Sequence, residues 1–405
     1  MRILLIHRYF WPDAPPYASM LRTIGARLVD NGHDVSVLSA QPSYNTVTAT
    51  GRRPAIETVD GVRIQRMRLP SKCRGAVTRV VNSAFFLIQA FCHVLRRRDE
   101  LVMFSTMPPV ALGVVVRAAL AWSGRAGRYV YHCQDIHPEA AHIAGLMRYG
   151  PWYRWLRAVD TATCRRAAAV VVLSGDMCET MIRRGVEADR VHVLNNFALV
   201  DPGPATAPPA QLVPSRDAAD FVVVFAGNLG RFQQLDTLID AVHELRDDPT
   251  THLWIVGDGV MRDQLRNRAG NLVGHTVHFV DYQTPEMAFG ILEQADLSVV
   301  SLRAGMYRVA YPSKTMTSLM AGCRLLVVAE QHSELARSIR EARLGTGAPP
   351  GDPRAIAQAI RWERRSRHAV DRRHVRSHAL QHHAADGVAD RWIRLLTHVG
   401  DEVAA

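Results

Sequence analysis

The residues best suited to chemistry lie in the second half of the chain. Phe221-Val-Val-Val-Phe-Ala-Gly-Asn-Leu-Gly-Arg231 reads as a buried strand running into a loop that holds Gly227, Asn228 and Gly230. Glycine lets backbone N–H groups come close to an anion, and the N-terminus of a following helix adds its dipole. Arg231 places a fixed positive charge at the same point, and together these features suit a nucleotide diphosphate. Taken alone, a Gly-x-x-Gly loop serves equally well as a plain turn. A second charge stands in Ala310-Tyr-Pro-Ser-Lys314. Only Lys72 and Lys314 are lysines among 49 basic residues, so a lysine here points to a compact charge placed on one phosphate oxygen. Pro312 and Ser313 would start the helix that follows and aim further backbone donors at the same spot. Between the two motifs, Trp254-Ile-Val-Gly257-Asp258-Gly259 is again a strand followed by a glycine turn. A ligand role and a simple β-to-α connection are both open for Gly257 and Gly259. The order strand, Gly-x-x-Gly, helix, strand, Gly-Asp-Gly, helix, strand, Pro-Ser-Lys, helix is more informative than any member of it.

These motifs need elements to hold them. Arg2 to His7 is a short apolar run of the kind that forms a central parallel strand, and Met20, Leu21, Ile24 and Leu28 follow at helical spacing. Further strands are expected near 34–38, 62–65, 100–104, 129–132, 169–173 and 191–194. A second series is expected near 221–225, 253–256, 277–280, 297–301 and 324–328. Leu235, Leu238, Ile239, Val242 and Leu245 mark one helical face between them. Such alternation implies parallel sheets covered on both faces. The prolines at 202, 204, 208, 209 and 214 mark a linker. The expected organisation is a first domain over 1–198, a linker over 199–220, a second domain over 221–380, and a terminal stretch over 381–405. In that last stretch Val388, Trp392, Leu395, Leu396 and Val399 form an apolar stripe that returns to the first domain.

At 405 residues, 48% hydrophobic and 21% charged, the chain can bury two cores. No secretory leader is visible, and the six cysteines form no CxxC pair, which favours a reducing cytoplasm over a disulfide or zinc framework. The net charge of +11 is unevenly placed. Eleven basic residues between Arg52 and Arg98 face only Glu57 and Asp60, which implies an anionic partner or a solvated face in an arginine-rich chain. Val80 to Leu95 is the most apolar helical stretch and runs directly into Arg96-Arg97-Arg98. A core helix ending in solvated arginines is the favoured reading. The other is an interfacial helix lying on a membrane through 52–98.

With Arg2-Ile-Leu-Leu-Ile-His-Arg-Tyr-Phe-Trp-Pro12, the motif order resembles glycosyltransferase family 4 of the GT-B fold. It is nearest the subgroup that builds bacterial capsule, O-antigen and colanic-acid-type polysaccharides. Tyr131-His-Cys-Gln-Asp135-Ile-His-Pro-Glu139 and Val193-Leu-Asn195-Asn196-Phe197 are similar to two further segments of that subgroup. The resemblance covers nearly the whole chain. It implies an α/β fold of two Rossmann-like, doubly wound parallel-sheet domains facing across a cleft. The second domain would bind a nucleotide sugar, of the UDP class, and the first a hydroxyl acceptor. The diphosphate would rest on Gly227–Arg231, Ser313 and Lys314, with the base near Val280 and Tyr282. The resemblance further implies transfer with retention and without metal or other cofactor. Asp135 is the candidate for orienting the acceptor or stabilising charge at the sugar, with Lys314 and Arg231 stabilising the leaving group. A core-paired or capping Asp135 remains the alternative.

Three departures from the family pattern stand out. The two glutamates found with seven residues between them in many relatives correspond to Val309 and Thr317. The usual Gly-Gly after the first strand is replaced by Pro15-Pro16-Tyr17, and the histidine before the acceptor-side Asp is Gln134. A lipid-linked saccharide acceptor at the inner face of the cell membrane is a further expectation, from the basic stretch and the apolar Val80–Leu95. Competing readings are glycosylation of a small-molecule natural product, a nucleotide-sugar 2-epimerase, and a non-catalytic anion- or nucleic-acid-binding protein. No nucleic-acid module is visible.

Overall fold

The structure, a computed structural model, describes residues 1–13, 16–43, 53–70, 76–105, 111–198, 217–366 and 371–404. The expected linker up to residue 216, together with Pro15, Arg52, Lys72 and Arg74, lies outside the described residues. The first half contains β1 (Arg2–Ile6), α1 (Pro16–Asp30), β2 (Asp34–Ala40), β3 (Ile56–Val59), β4 (Val62–Met67), α2 (Ala76–Arg96), β5 (Leu101–Ser105) and α3 (Leu112–Trp122). It continues with β6 (Tyr129–His132), α4 (Glu139–Ile143), α5 (Pro151–Cys164), β7 (Ala169–Val172), α6 (Gly175–Arg183) and β8 (Val191–Val193). The second half contains β9 (Phe221–Ala226), α7 (Leu235–His243), β10 (Thr251–Val256), α8 (Arg262–Ala269), β11 (Val277–Val280), α9 (Pro285–Gln294) and β12 (Leu297–Ser301). It ends with α10 (Lys314–Met320), β13 (Arg324–Val328), α11 (Glu334–Glu341), β14 (Gly345–Ala348), α12 (Pro353–Arg365), α13 (Arg372–His383) and α14 (Ala385–Ala404).

Two sheets result, in the orders β3-β4-β2-β1-β5-β6-β7-β8 and β11-β10-β9-β12-β13-β14. Every pairing is parallel except β3 with β4. The alternation of side chains along a strand explains why the strands are apolar throughout. In the first sheet Leu4, Ile6, Val102 and Phe104 face α2 and α3, while Ile3, Leu5, Leu101 and Met103 face α1 and α14. Trp392, Leu396 and Val399 of α14 are buried against that second face, so the end of the chain packs on the first sheet.

The strand orders locate the sites. From β1 the chain builds outward through β2, then returns to the other side of β1 with β5. It does the same at β9, building β10 and β11 before crossing to β12. At such switch points the loops at the carboxyl ends of neighbouring strands part in opposite directions and leave a crevice where ligands bind. The β1/β5 crevice is opened by His7 and Arg8, and the β9/β12 crevice by the Gly227–Arg231 loop.

One expectation is corrected. α2 is not a core helix. Its inner face buries Asn82, Phe86, Ala90 and Val94, but its outer face is also apolar, with Val77 78%, Val80 69% and Ile88 62% exposed alongside Val81 and Phe85. Hydrophobicity on all sides of a helix records how much apolar surface exists, not how much of it the fold covers.

Candidate active site

At the β9/β12 crevice, β9 ends just past buried Phe225 and the chain turns through Gly227 at φ +140°. The Gly257 turn, at φ +134°, packs directly beneath it. A Cβ on Gly257 would overlap the Gly227 carbonyl oxygen, and one on Gly259 would lie 2.5 Å from the Leu229 carbonyl oxygen. Hydrogen bonds lock the two turns together: the Gly227 N–H donates to Val256 O (2.9 Å), Leu229 N–H to Asp258 O (2.9 Å) and Gly257 N–H to Val280 O (3.0 Å). Among the described residues this leaves the N–H groups of Asn228, Gly230 and Arg231 for a ligand. Arg231 is exposed at the end of the loop, as is Asn228, while Gly230 is buried.

Lys314 is the first residue of α10 and reaches the same loop. Its Nζ lies 3.3 Å from where a Cβ on Gly227 would be and 3.6 Å from the centre of the Phe225 ring. The ammonium nitrogen is buried and has no hydrogen-bond partner among the described residues. Burial without a compensating anion lowers its pKa from 10.5 to about 7. An unpaired buried cation is expensive and therefore marks a place where an anion belongs. Ser313 is exposed and makes no side-chain cap on α10. Val280 is buried at the end of β11 and Tyr282 is exposed two residues beyond it.

The first sheet meets this site through one segment. Asp135 pairs as a β-bridge with Ala310, and the Ile136 N–H donates to Val309 O (2.7 Å), four to five residues before Lys314. The structure thus brings Asp135 and the Lys314 segment together across the two sheets. Burial raises the Asp135 pKa, with His137 opposing it. Val309 is buried and Thr317 lies on α10 one turn after Lys314.

The structure gives partners to several further residues around this cleft. Tyr17 Oη is 2.9 Å from His132 Nδ1, and Gln134 Nε2 is 2.8 Å from His132 Nε2. Gln134 and Asn196 exchange two amide hydrogen bonds, at 3.1 and 2.9 Å. His132 is fully buried, its pKa pushed down to about 3 by burial with His7 adding to the effect, so it is neutral. Arg303 and Glu330 follow β12 and β13. Glu330 accepts a hydrogen bond from the Gly305 N–H (2.6 Å), while its Oε2 and Arg303 Nε are buried without partners among the described residues. The signal that could have found His7, Arg8, Arg303 and Glu330 is their position directly after apolar strand runs.

Comparison with known proteins follows this division. The family model described as Glycosyl transferase 4-like domain matches residues 17–196, and the model described as Glycosyl transferases group 1 matches residues 220–362. WbjE of Pseudomonas aeruginosa, named as a glycosyltransferase, is 29% identical over 65% of this chain and 66% of its own length. WcaI of Escherichia coli K12, named for a glycosyl transferase of colanic acid biosynthesis, is 23% identical over 83% of this chain and 85% of its own. LpsD of Rhizobium meliloti, named a lipopolysaccharide core biosynthesis glycosyltransferase, is 31% identical over 45% of this chain and 47% of its own. Among solved structures, sucrose-phosphate synthase from Thermosynechococcus elongatus superposes with a TM-score of 0.73 at 16% identity, covering 98% of this chain and 99% of that one. Anabaena HepE in complex with UDP superposes with a TM-score of 0.70 at 15% identity, covering 98% and 100%.

Proposed function

The chain belongs to the group 1 and 4-like glycosyltransferases, a family of transferase enzymes, and from that premise we propose that it moves a sugar from a UDP-class donor to an acceptor hydroxyl in cell-surface polysaccharide synthesis. The observation that carries the donor side is Lys314, whose buried, unpartnered ammonium faces the Gly227 turn at a switch-point crevice. A diphosphate at this point meets Lys314, the free N–H groups of Asn228, Gly230 and Arg231, and the N-terminus of α10, which together stabilise the departing charge without a metal. Val280 and Tyr282 flank the base. Asp135 stands across the cleft and orients the acceptor hydroxyl, in a reaction that retains anomeric configuration. The polysaccharide assignment rests on what WcaI and LpsD are named for.

The outward face of α2, with Val77, Val80, Val81, Phe85 and Ile88, is the membrane contact in this reading, and exposed Arg96 and Arg98 at its end meet lipid phosphates. The test of the donor side is a thermal-shift panel of UDP, GDP, dTDP, CDP and ADP with and without EDTA, on wild type and Lys314→Ala. A rise with one nucleotide that survives EDTA and vanishes in the variant supports the reading. No shift with any nucleotide refutes it. For the membrane side, Val80→Asp/Ile88→Asp protein should lose co-sedimentation with anionic vesicles, and equal sedimentation would exclude α2.

A further inference from the structure

The first sheet's own switch point holds a cation that the donor chemistry does not use. Arg8 follows β1 directly at the β1/β5 crevice and is only 9% exposed. Other arginines of the first half have carboxylate partners: Arg66 and Arg53 share Glu57, and Arg22 pairs with Asp60. Arg8 has no carboxylate partner among the described residues, and the only Asp or Glu outside them is Asp201 in the proline-rich stretch. Its Nη1 lies 3.4 Å from Ser83 Oγ on α2, its guanidinium stacks 5.5 Å from the Tyr9 ring centre, and its Nε is buried with no partner. A guanidinium taken out of water needs an anion, and its planar fork favours an oxyanion that accepts two hydrogen bonds.

We infer that Arg8 is the anion subsite of the acceptor site and takes a phosphate ester group of the acceptor. This rests on the reading of the second domain as the donor side, which leaves the first crevice for the acceptor. Ser83 ties the guanidinium to the helix whose outer face is apolar, and a phosphate ester is the anion that joins a sugar to an apolar chain. The same group on a soluble sugar phosphate would satisfy Arg8 equally, so the source is decided by experiment.

The test is calorimetric titration of inorganic phosphate, glucose 1-phosphate, decyl phosphate and decanoate into protein saturated with UDP, repeated on Lys314→Ala without nucleotide. Both preparations should bind phosphate esters at one site. Arg8→Gln should weaken that binding by roughly ten- to a hundredfold and leave UDP affinity unchanged, which also certifies its fold. Arg8→Lys, which keeps the charge and loses the fork, should recover part of it. Tighter binding of decyl phosphate than of glucose 1-phosphate assigns a lipid-borne phosphate; equal binding assigns a soluble one. Phosphate ester binding within twofold of wild type in both Arg8 variants, or decanoate binding as tightly as decyl phosphate, overturns the inference. Absence of UDP binding in wild type with an Arg8-dependent phosphate site intact would instead refute the donor reading alone.

Discussion

Lys314 sets a pH dependence that can be worked through. Its Nζ is buried against Gly227 and Phe225, and its pKa falls from 10.5 to about 7. A diphosphate in contact with the ammonium removes the cause of that drop and restores the pKa towards its ordinary value, so nucleotide binding takes up a proton between the two pKa values. At pH 7 about half of the free protein carries the charge; at pH 9 roughly one part in a hundred does. Affinity for UDP should therefore fall by about fiftyfold between pH 7 and pH 9. Calorimetry in two buffers of different ionisation enthalpy measures both the affinity and the proton uptake. Lys314→Met should bind weakly with no pH dependence over this range. Wild-type affinity that is constant from pH 7 to pH 9, with no proton exchanged, would refute the placement of Lys314 on the diphosphate. The same residue affects stability with a defined sign. Because the folded pKa lies below the unfolded one, the unfolded state binds the extra proton between about 7 and 10.5, and stability rises with pH across that window. The burden is full below pH 7, with an upper bound of about 5 kcal/mol at ~1.36 kcal/mol per pH unit. Lys314→Met should thus raise the melting temperature more at pH 6 than at pH 10.

Two further substitutions probe the frame around the site. Gly257→Ala places a Cβ onto the Gly227 carbonyl at φ +134° and should lower stability by about 2–4 kcal/mol, read by chemical denaturation together with loss of nucleotide binding. Arg184 is buried between Glu139 and Asp160 (2.6 Å to Asp160 Oδ2) and donates to His137 O (2.7 Å), two residues after Asp135. Arg184→Met leaves Asp160 only its hydrogen bond from the Tyr131 hydroxyl and Glu139 only its pair with Arg157, and should lower stability by about 3–5 kcal/mol; a urea midpoint like that of wild type would show the network to be dispensable.

The central strands were legible because burial on both faces makes them apolar throughout, and all five expected in the second half coincide with β9 to β13. The two edge strands missed in the sequence lack that mark. β3 is four residues with alternating exposure on the rim of the sheet. β14 reads Gly-Thr-Gly-Ala and has little strand propensity of its own. It forms because Leu325 pairs with Gly345 so closely that any Cβ there would overlap the Leu325 backbone, a constraint visible only once the register is known. Asp135 was found through resemblance, yet its bond to Ala310 joins residues far apart in the chain and has no local signature. Arg8 was overlooked for a related reason. Its place after an apolar strand is visible in the sequence, but that it is nearly buried without a carboxylate among the described residues shows only once the charges are paired in space.

The contacts between the two sheets suggest how the site assembles. Thr180 Oγ1 donates to Arg308 O (2.8 Å), the Ile136 N–H to Val309 O (2.7 Å), and the Glu334 N–H to Asp176 Oδ2 (2.8 Å), while the Glu334 carboxylate accepts from the Gly175 N–H. α6 and α11 thus each cap the other's N-terminus across the cleft. At a net ~0.5–1.5 kcal/mol each, four such bonds amount to roughly 2–6 kcal/mol, within the range a micromolar ligand can bias. Two of them grip Arg308 and Val309, and the chain runs from there through the Asp135 bridge at Ala310 to Lys314, so separation of the sheets draws Asp135 away from Lys314. The Ile136 amide reports this directly. Its hydrogen exchange should slow several-fold when UDP binds wild type and stay fast in Asp176→Ala/Thr180→Val protein. Exchange at Ile136 that is indifferent to both nucleotide and substitution would mean that the two sheets are joined independently of the ligand, and that Lys314 is placed by its own domain alone.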